Sequence, residues 1–249
     1  MTSATVGSSQ RQHDQIFFVS AAMVILATVF VGFARTYYLA GVLAAPLPNV
    51  LVHIHGAVFS LWILLFITQV LLISTRHVQL HRRLGLIGFG VACLMFLLGL
   101  LAATDSLARH AAPGNVGIQV RAFYAVPVVD MLIFATLIYF GFRERVHPAA
   151  HKRFMLIATI ALLDAAFVRW PVRAPWWDLR TAQYCCYALL LCLAAYDLWS
   201  TGKIHRATAW GSGFLIVLQQ IRVPLGRTAI WQDFAVWMQN VTGSSIRLH

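Results

Sequence analysis

The chain has 249 residues, of which 60% are hydrophobic and only 11% are charged. A soluble domain carries roughly 25% charged residues, so this composition leaves too little polar surface for a water-soluble fold. The net charge of +11 would suit nucleic acid, but the basic residues stand in loops that flank long apolar runs. Topology and anionic lipid headgroups explain that arrangement better, so we predict an integral membrane protein with a lipid bilayer, and no nucleic acid, as its partner.

Seven segments of the chain are apolar enough to be candidate transmembrane helices. A helix needs about 20 such residues to cross the roughly 30 Å hydrocarbon layer, because each residue advances it by about 1.5 Å. The predicted spans are 16–34, 56–75, 84–103, 122–142, 154–168, 182–199 and 207–224. We therefore predict an all-α, polytopic membrane helix bundle with about seven transmembrane helices.

The predicted domain organisation follows from these spans. Residues 1–15 are expected to form a mobile polar tail, and residues 16–249 a single transmembrane helical domain. Near the C-terminus, Trp231, Phe234 and Trp237 are spaced like one face of a helix. That spacing is typical of an amphipathic helix at the membrane interface.

Lysine and arginine are concentrated in alternate predicted loops. The second, fourth and sixth loops hold Arg76, Arg82, Arg83, Arg143, Arg145, Lys152, Arg153, Lys203 and Arg206. Because positive residues in short loops favour the cytoplasmic side, this bias places the N-terminus in the cytoplasm and the C-terminus outside. The expected location is the cytoplasmic (inner) membrane of a bacterium.

Two aspartates stand near the middle of predicted spans, Asp130 in the fourth and Asp164 in the fifth. An ionisable side chain at the centre of a transmembrane helix costs about 2.5 to 3.5 kcal/mol, so it usually faces protein, water or a ligand. Arg169 and Arg222 are candidate partners. Two hypotheses follow: a ligand or ion site, or an internal ion pair that only fixes helix register.

Other polar groups are expected to converge in the outer half of the bundle. On the predicted topology, this half receives Arg35, His53 and His55. Trp62 belongs to an aromatic face that runs below His55 along the second span, and such a face either lines a cavity or forms core. The predicted ligand-binding residues are Arg35, Trp62, Asp130, Asp164, Arg169 and Arg222.

Three of the basic loops end in a histidine followed by arginine or lysine, at His81, His151 and His205. These histidines either form hydrogen bonds at the interface while the cations reach headgroups, or converge on a metal. The second hypothesis adds His53 and His55 as outward ligands. Histidines on hydrophobic helices loosely resemble those of membrane cytochromes, and this resemblance implies a haem or a transition metal and a redox role.

Neither GxSxG nor HExxH occurs in the chain, so a membrane hydrolase is not favoured. Three functions remain open. The favoured one is the binding of a ligand or cofactor, such as a metal or haem, in the outer-half pocket. The alternatives are a proton-coupled or anion transporter that uses intramembrane aspartate and arginine, and a non-catalytic assembly or interaction protein whose buried polar groups only specify packing.

Overall fold

A computed structural model describes residues 2–42 and 49–246, and the side chains of residues 12–42 and 49–242. Within these residues the fold is helical and contains no strand. The helices are α1 (Thr2–Phe33), α2 (Val50–Ser74), α3 (Val78–Arg109), α4 (Gly114–Arg143), α5 (Pro148–Ile160), α6 (Asp164–Phe167), α7 (Leu179–Thr201), α8 (Arg206–Gly226) and α9 (Ala229–Ile246). A π-helical turn, Ala34–Tyr38, follows α1. The remainder of the predicted domains, residues 1, 43–48 and 247–249, lies outside the described residues.

Five of the described helical segments are long and apolar enough to cross a membrane. They are Gln12–Tyr38, Val50–Ser74, Val78–Arg109, Gly114–Val146 and Leu179–Thr201. These segments correspond to the first, second, third, fourth and sixth predicted spans. The all-α bundle is confirmed for the described residues, and its apolar helices are compatible with a multi-pass protein in a lipid bilayer.

The fifth and seventh predicted spans differ from the other five. The fifth is not one continuous helix, because α5 ends at Ile160, residues 161–163 form turns, and α6 then begins at Asp164 with only four residues. The seventh is α8, whose 21 residues extend over about 31 Å. It carries Gln219 and Arg222 and is not among the five candidate spans.

The loops of the bundle gather at two ends. The loops near residues 75–77, 144–147 and 202–205 form the basic end, where the Gln15 side chain donates a hydrogen bond to the Ser74 carbonyl over 3.4 Å. At the opposite end, Asn49 caps α2 by accepting the Val52 N–H over 2.8 Å. A cap of this kind satisfies one of the free amide groups at a helix N-terminus.

Both terminal segments are helical where they are described. α1 includes residues from Thr2 onward, and Asp14 ties it to the basic end through Lys152 (2.7 Å) and the Tyr196 hydroxyl (2.5 Å). At the other terminus, α9 lies across the opposite ends of α3 and α4, and Trp231 Nε1 donates to the Arg121 carbonyl over 2.9 Å. The mobility of residues 1–15 and the interfacial role of α9 stay predictions.

α8 is held close to α4 by a glycine contact. At Gly226, a Cβ atom would collide with the backbone carbonyl of Ala122 in α4. The two helix backbones therefore approach more closely than a larger side chain would allow. This contact lies one turn beyond Arg222 and fixes the depth at which that arginine enters the bundle.

We expect Gly226→Ala to lower the free energy of unfolding by about 1–3 kcal/mol, because the added methyl group must push α8 away from α4. Thermal unfolding of the purified protein in detergent measures the effect. Gly213→Ala is the matched control on the same helix, since a Cβ atom there meets nothing within 4 Å. Equal melting temperatures for the two variants would contradict the close contact.

Candidate functional site

A cluster of charged side chains lies inside the bundle between α4, α6 and α8. Arg222 of α8 is fully buried, at 0% exposure. Its Nη1 donates to the carboxylate of Asp130, and its Nη2 donates to Asp164 Oδ2 over 2.6 Å. Both aspartates are buried as well. We name Asp130, Asp164 and Arg222 the acid–arginine cluster. Sequence analysis singled out all three residues, and one of its hypotheses was an ion pair between an aspartate and Arg222.

The local sequence explains how the two acids reach Arg222. Asp130 follows Pro127 by one turn within α4, where the missing proline N–H leaves the Phe123 carbonyl without its usual helical donor. Asp164 stands directly after the break between α5 and α6, and its Oδ1 accepts the N–H of Ala165 over 2.7 Å. Asp164 is thus the first residue of α6, and its other carboxylate oxygen, Oδ2, accepts Arg222 Nη2.

The charges of the cluster do not balance. Two carboxylates face one guanidinium, so the cluster carries a net charge of −1 when both acids are ionised. Burial of an uncompensated charge is costly, and the cost falls when a carboxylate takes up a proton. The arrangement is therefore suited to holding one exchangeable proton between Asp130 and Asp164.

Beside the cluster, several buried polar atoms have no partner among the described protein groups. Gln219 is 1% exposed, yet neither its Oε1 nor its Nε2 forms a hydrogen bond, and Arg222 Nε is likewise unpaired. Gln183 of α7 donates to the backbone carbonyl of Gln219 over 3.3 Å and leaves the side-chain amide free. Because Gln219 and Arg222 are three residues apart in α8, they share one helical face.

A second buried ion pair lies toward the basic end, between Arg153 of α5 and Asp197 of α7. Arg153 Nε donates to Asp197 Oδ1 over 3.0 Å, and Nη2 contacts the same oxygen. Asp197 Oδ2 accepts the Thr208 hydroxyl (2.6 Å) and the His205 backbone N–H (3.0 Å). Both carboxylate oxygens are thus satisfied, and the pair joins α5, α7 and α8. Sequence analysis missed it and assigned Arg153 to the loop charges.

Of the three histidines predicted to converge, His81, His151 and His205, two lie in contact and the third does not join them. His81 and His151 come together at the basic end, with ring centroids 6.2 Å apart and planes at 83°. His151 Nδ1 also donates a hydrogen bond to the Gly141 carbonyl over 2.7 Å. His205 has a different role, because its Nδ1 accepts the Ala207 N–H over 3.1 Å and caps α8.

The two outward histidines do not complete a metal site. His53 is exposed beside Tyr37, and the His55 ring contacts Phe59 at a tilt of 36°, with ring centroids 4.2 Å apart. Across the parts of the chain that the structure describes, no group of three or more histidine, cysteine, aspartate or glutamate side chains is placed to hold a metal ion. The predicted metal or haem site therefore finds no support in this geometry.

Three predicted ligand-binding residues lie apart from the cluster. Arg35 is exposed in the π-helical turn, while Arg169 donates to the Ala165 carbonyl over 2.5 Å and lies over the Phe33 ring. Trp62 is buried edge-on against a phenylalanine of α4, with centroids 5.3 Å apart, and its buried Nε1 has no hydrogen-bond partner among the described groups. The predicted aromatic face thus turns inward, where Trp62 contributes to the core.

No protein-family model matches the chain, and a match is likewise absent among curated proteins and among solved structures. The function must therefore be inferred from the geometry of the site itself.

We expect Arg153→Met to lower the free energy of unfolding by about 3–5 kcal/mol, because it leaves the buried Asp197 carboxylate without its counter-charge. Unfolding in lipid bicelles measures the loss. Arg206→Met is the control, since Arg206 is an exposed arginine near the same end of the bundle. A loss no larger than that of the control would show that the ion pair does not hold the helices together.

The His205 cap at the start of α8 predicts how the stability of the protein depends on pH. Burial, aided by the positive charge of Arg153, lowers the pKa of His205 below its ordinary value of 6.5. The neutral ring can accept the Ala207 N–H, so this stabilisation is present above the unfolded-state pKa and is lost as the pH falls through the folded-state pKa. We expect His205→Asn to keep a cap of about 1 kcal/mol and to flatten the pH dependence of unfolding in this acidic window. An unchanged pH profile would contradict the titrating cap.

Proposed function

We propose that this chain is a multi-pass membrane carrier that couples a proton to a small solute, with the proton shared by Asp130 and Asp164. The observation that carries this proposal is the contact of one fully buried guanidinium, that of Arg222, with two buried carboxylates. Such a cluster can exist in a more and a less protonated state, and these states differ in their affinity for charged groups. That difference is the physical requirement for coupling.

The break in the fifth predicted span supports a carrier. Residues 161–163 interrupt the helical segment immediately before Asp164, at the acid–arginine cluster. Secondary transporters typically build their sites from discontinuous helices near the middle of the membrane. An irregular backbone at that depth is tolerated where it is enclosed by protein or lines a hydrated cavity.

A comparison within the chain argues against a purely structural cluster. Arg153 and Asp197 pair one base with one acid, and hydrogen bonds from α8 complete the carboxylate. The acid–arginine cluster instead contains a second acid, which is one more than the charge of a single arginine requires. The metal or haem function is less well supported, because the histidines do not assemble into a ligand set among the described residues.

The proposal includes a membrane arrangement. α5 with α6, and α8, would lie at bilayer depth together with the five candidate spans, which gives seven crossings. The loop charges favour a cytoplasmic N-terminus and basic end. α9 would then rest at the outer interface, with Phe234 and Trp237 partly exposed to lipid. A single domain and a bacterial inner membrane stay predictions.

We expect infrared difference spectra of the protein in nanodiscs, recorded across a pH titration, to contain the carbonyl band of a protonated carboxylic acid. Asp130→Asn and Asp164→Asn should each remove or shift this band, because the two acids share one proton next to Arg222. Asp178→Asn is the control, since Asp178 lies in a loop, where it caps α7. A spectrum without the band, or one unchanged in both cluster variants, would refute the proposal.

A further inference from the structure

We infer that the shared face of Gln219 and Arg222 binds a small monocarboxylate, and that this anion enters together with one further proton. The inference rests on the proposed function and names the class of its solute. It rests on the buried polar atoms of Gln219 and Arg222 that form no hydrogen bond in the acid–arginine cluster.

The unpaired atoms favour a ligand rich in hydrogen-bond acceptors. Arg222 Nε offers one N–H and Gln219 Nε2 offers two, against the single acceptor oxygen of the Gln219 amide. A carboxylate only accepts hydrogen bonds, and two neighbouring N–H donors match its two oxygens. Gln219 Oε1 is left to accept a hydroxyl group, so lactate is a suitable probe.

The position of these donors also favours a carboxylate. Asp130 and Asp164 bind Arg222 through Nη1 and Nη2, which leaves the Nε–H of the guanidinium for another acceptor. Gln219 lies three residues earlier in α8, on the same side. The Nε–H of Arg222 is therefore a donor that neither aspartate uses, and it is the group to which we assign the anion.

Charge balance then sets the stoichiometry. The cluster is neutral with one proton on the two acids, and a bound monoanion returns it to a net charge of −1. Because a buried net charge is costly, a second proton is expected to enter from solvent with the anion. Among the described residues, other titratable or charged groups near the cluster include Cys186, Tyr187 and Arg169. Arg169 is left out of the charge count because it is exposed and donates to the Ala165 carbonyl. The stoichiometry is therefore one proton for each carboxylate.

Calorimetry of the full chain in nanodiscs tests the inference with lactate and its neutral isostere lactamide. Titrations in buffers of different ionisation enthalpy count the protons taken up. We expect lactate to bind with uptake of one proton, lactamide to bind far more weakly, and the lactate affinity to fall about tenfold for each unit of pH in the range where the second acid is ionised. A proton count of zero, or equal binding of lactamide, would overturn the inference.

Gln219→Leu should weaken lactate binding by about 10–100-fold, because it removes a hydrogen bond to a charged group. Gln220→Leu is the matched control, since this neighbouring glutamine instead donates to the Tyr187 hydroxyl over 2.9 Å. Equal affinities in the two variants would overturn the inference. Wild-type protein that shows the carboxylic acid band but no lactate binding would contradict the inference alone, whereas absence of the band would contradict the proposed function too.

Discussion

The pairing of the Arg222 guanidinium with two carboxylates determines how the interior of this bundle is arranged. A fully buried cation can persist only where counter-charges and hydrogen bonds replace its hydration. Asp130 and Asp164 supply them from α4 and α6, so α8 must lie between these elements at one depth and in one rotation. The close contact of Gly226 with Ala122 serves the same constraint, because it lets α8 approach α4 at that level.

The two buried ion clusters differ in how completely their hydrogen bonds are formed. Asp197 binds a single arginine and has hydrogen-bond partners on both oxygens. The Arg153–Asp197 pair therefore leaves no carboxylate oxygen unpaired for a ligand. Around Arg222 there is one acid too many for charge balance, and donors remain unpaired on Arg222 and Gln219. The Arg153–Asp197 pair therefore joins helices, whereas the proposed function assigns a change of protonation to the acid–arginine cluster at the other end of α8.

The sequence was most informative where lipid imposes a simple rule. Apolar runs predicted the all-α fold, and five of the seven predicted spans correspond to helices long and apolar enough to cross a membrane. The cost of burying charge singled out Asp130, Asp164 and Arg222. The break at residues 161–163 was not predicted, because no proline or glycine marks it in an apolar stretch. The Arg153–Asp197 pair was missed for another reason: arginines near span ends usually reach headgroups, and only the tertiary fold turns this one inward.

A double-mutant cycle between Arg222 and Asp164 tests the central claim most directly. Unfolding free energies in bicelles are needed for Arg222→Met, Asp164→Leu and the double variant. If the guanidinium is held by buried carboxylates, Arg222→Met leaves two buried acids without a counter-charge, and Asp164→Leu removes one of the two hydrogen-bond partners of Arg222. Both single variants lose the same contact, so the double variant should lose at least about 1 kcal/mol less than the sum of the two. Losses that add within about 0.5 kcal/mol would contradict the account, because independent sites behave in that way.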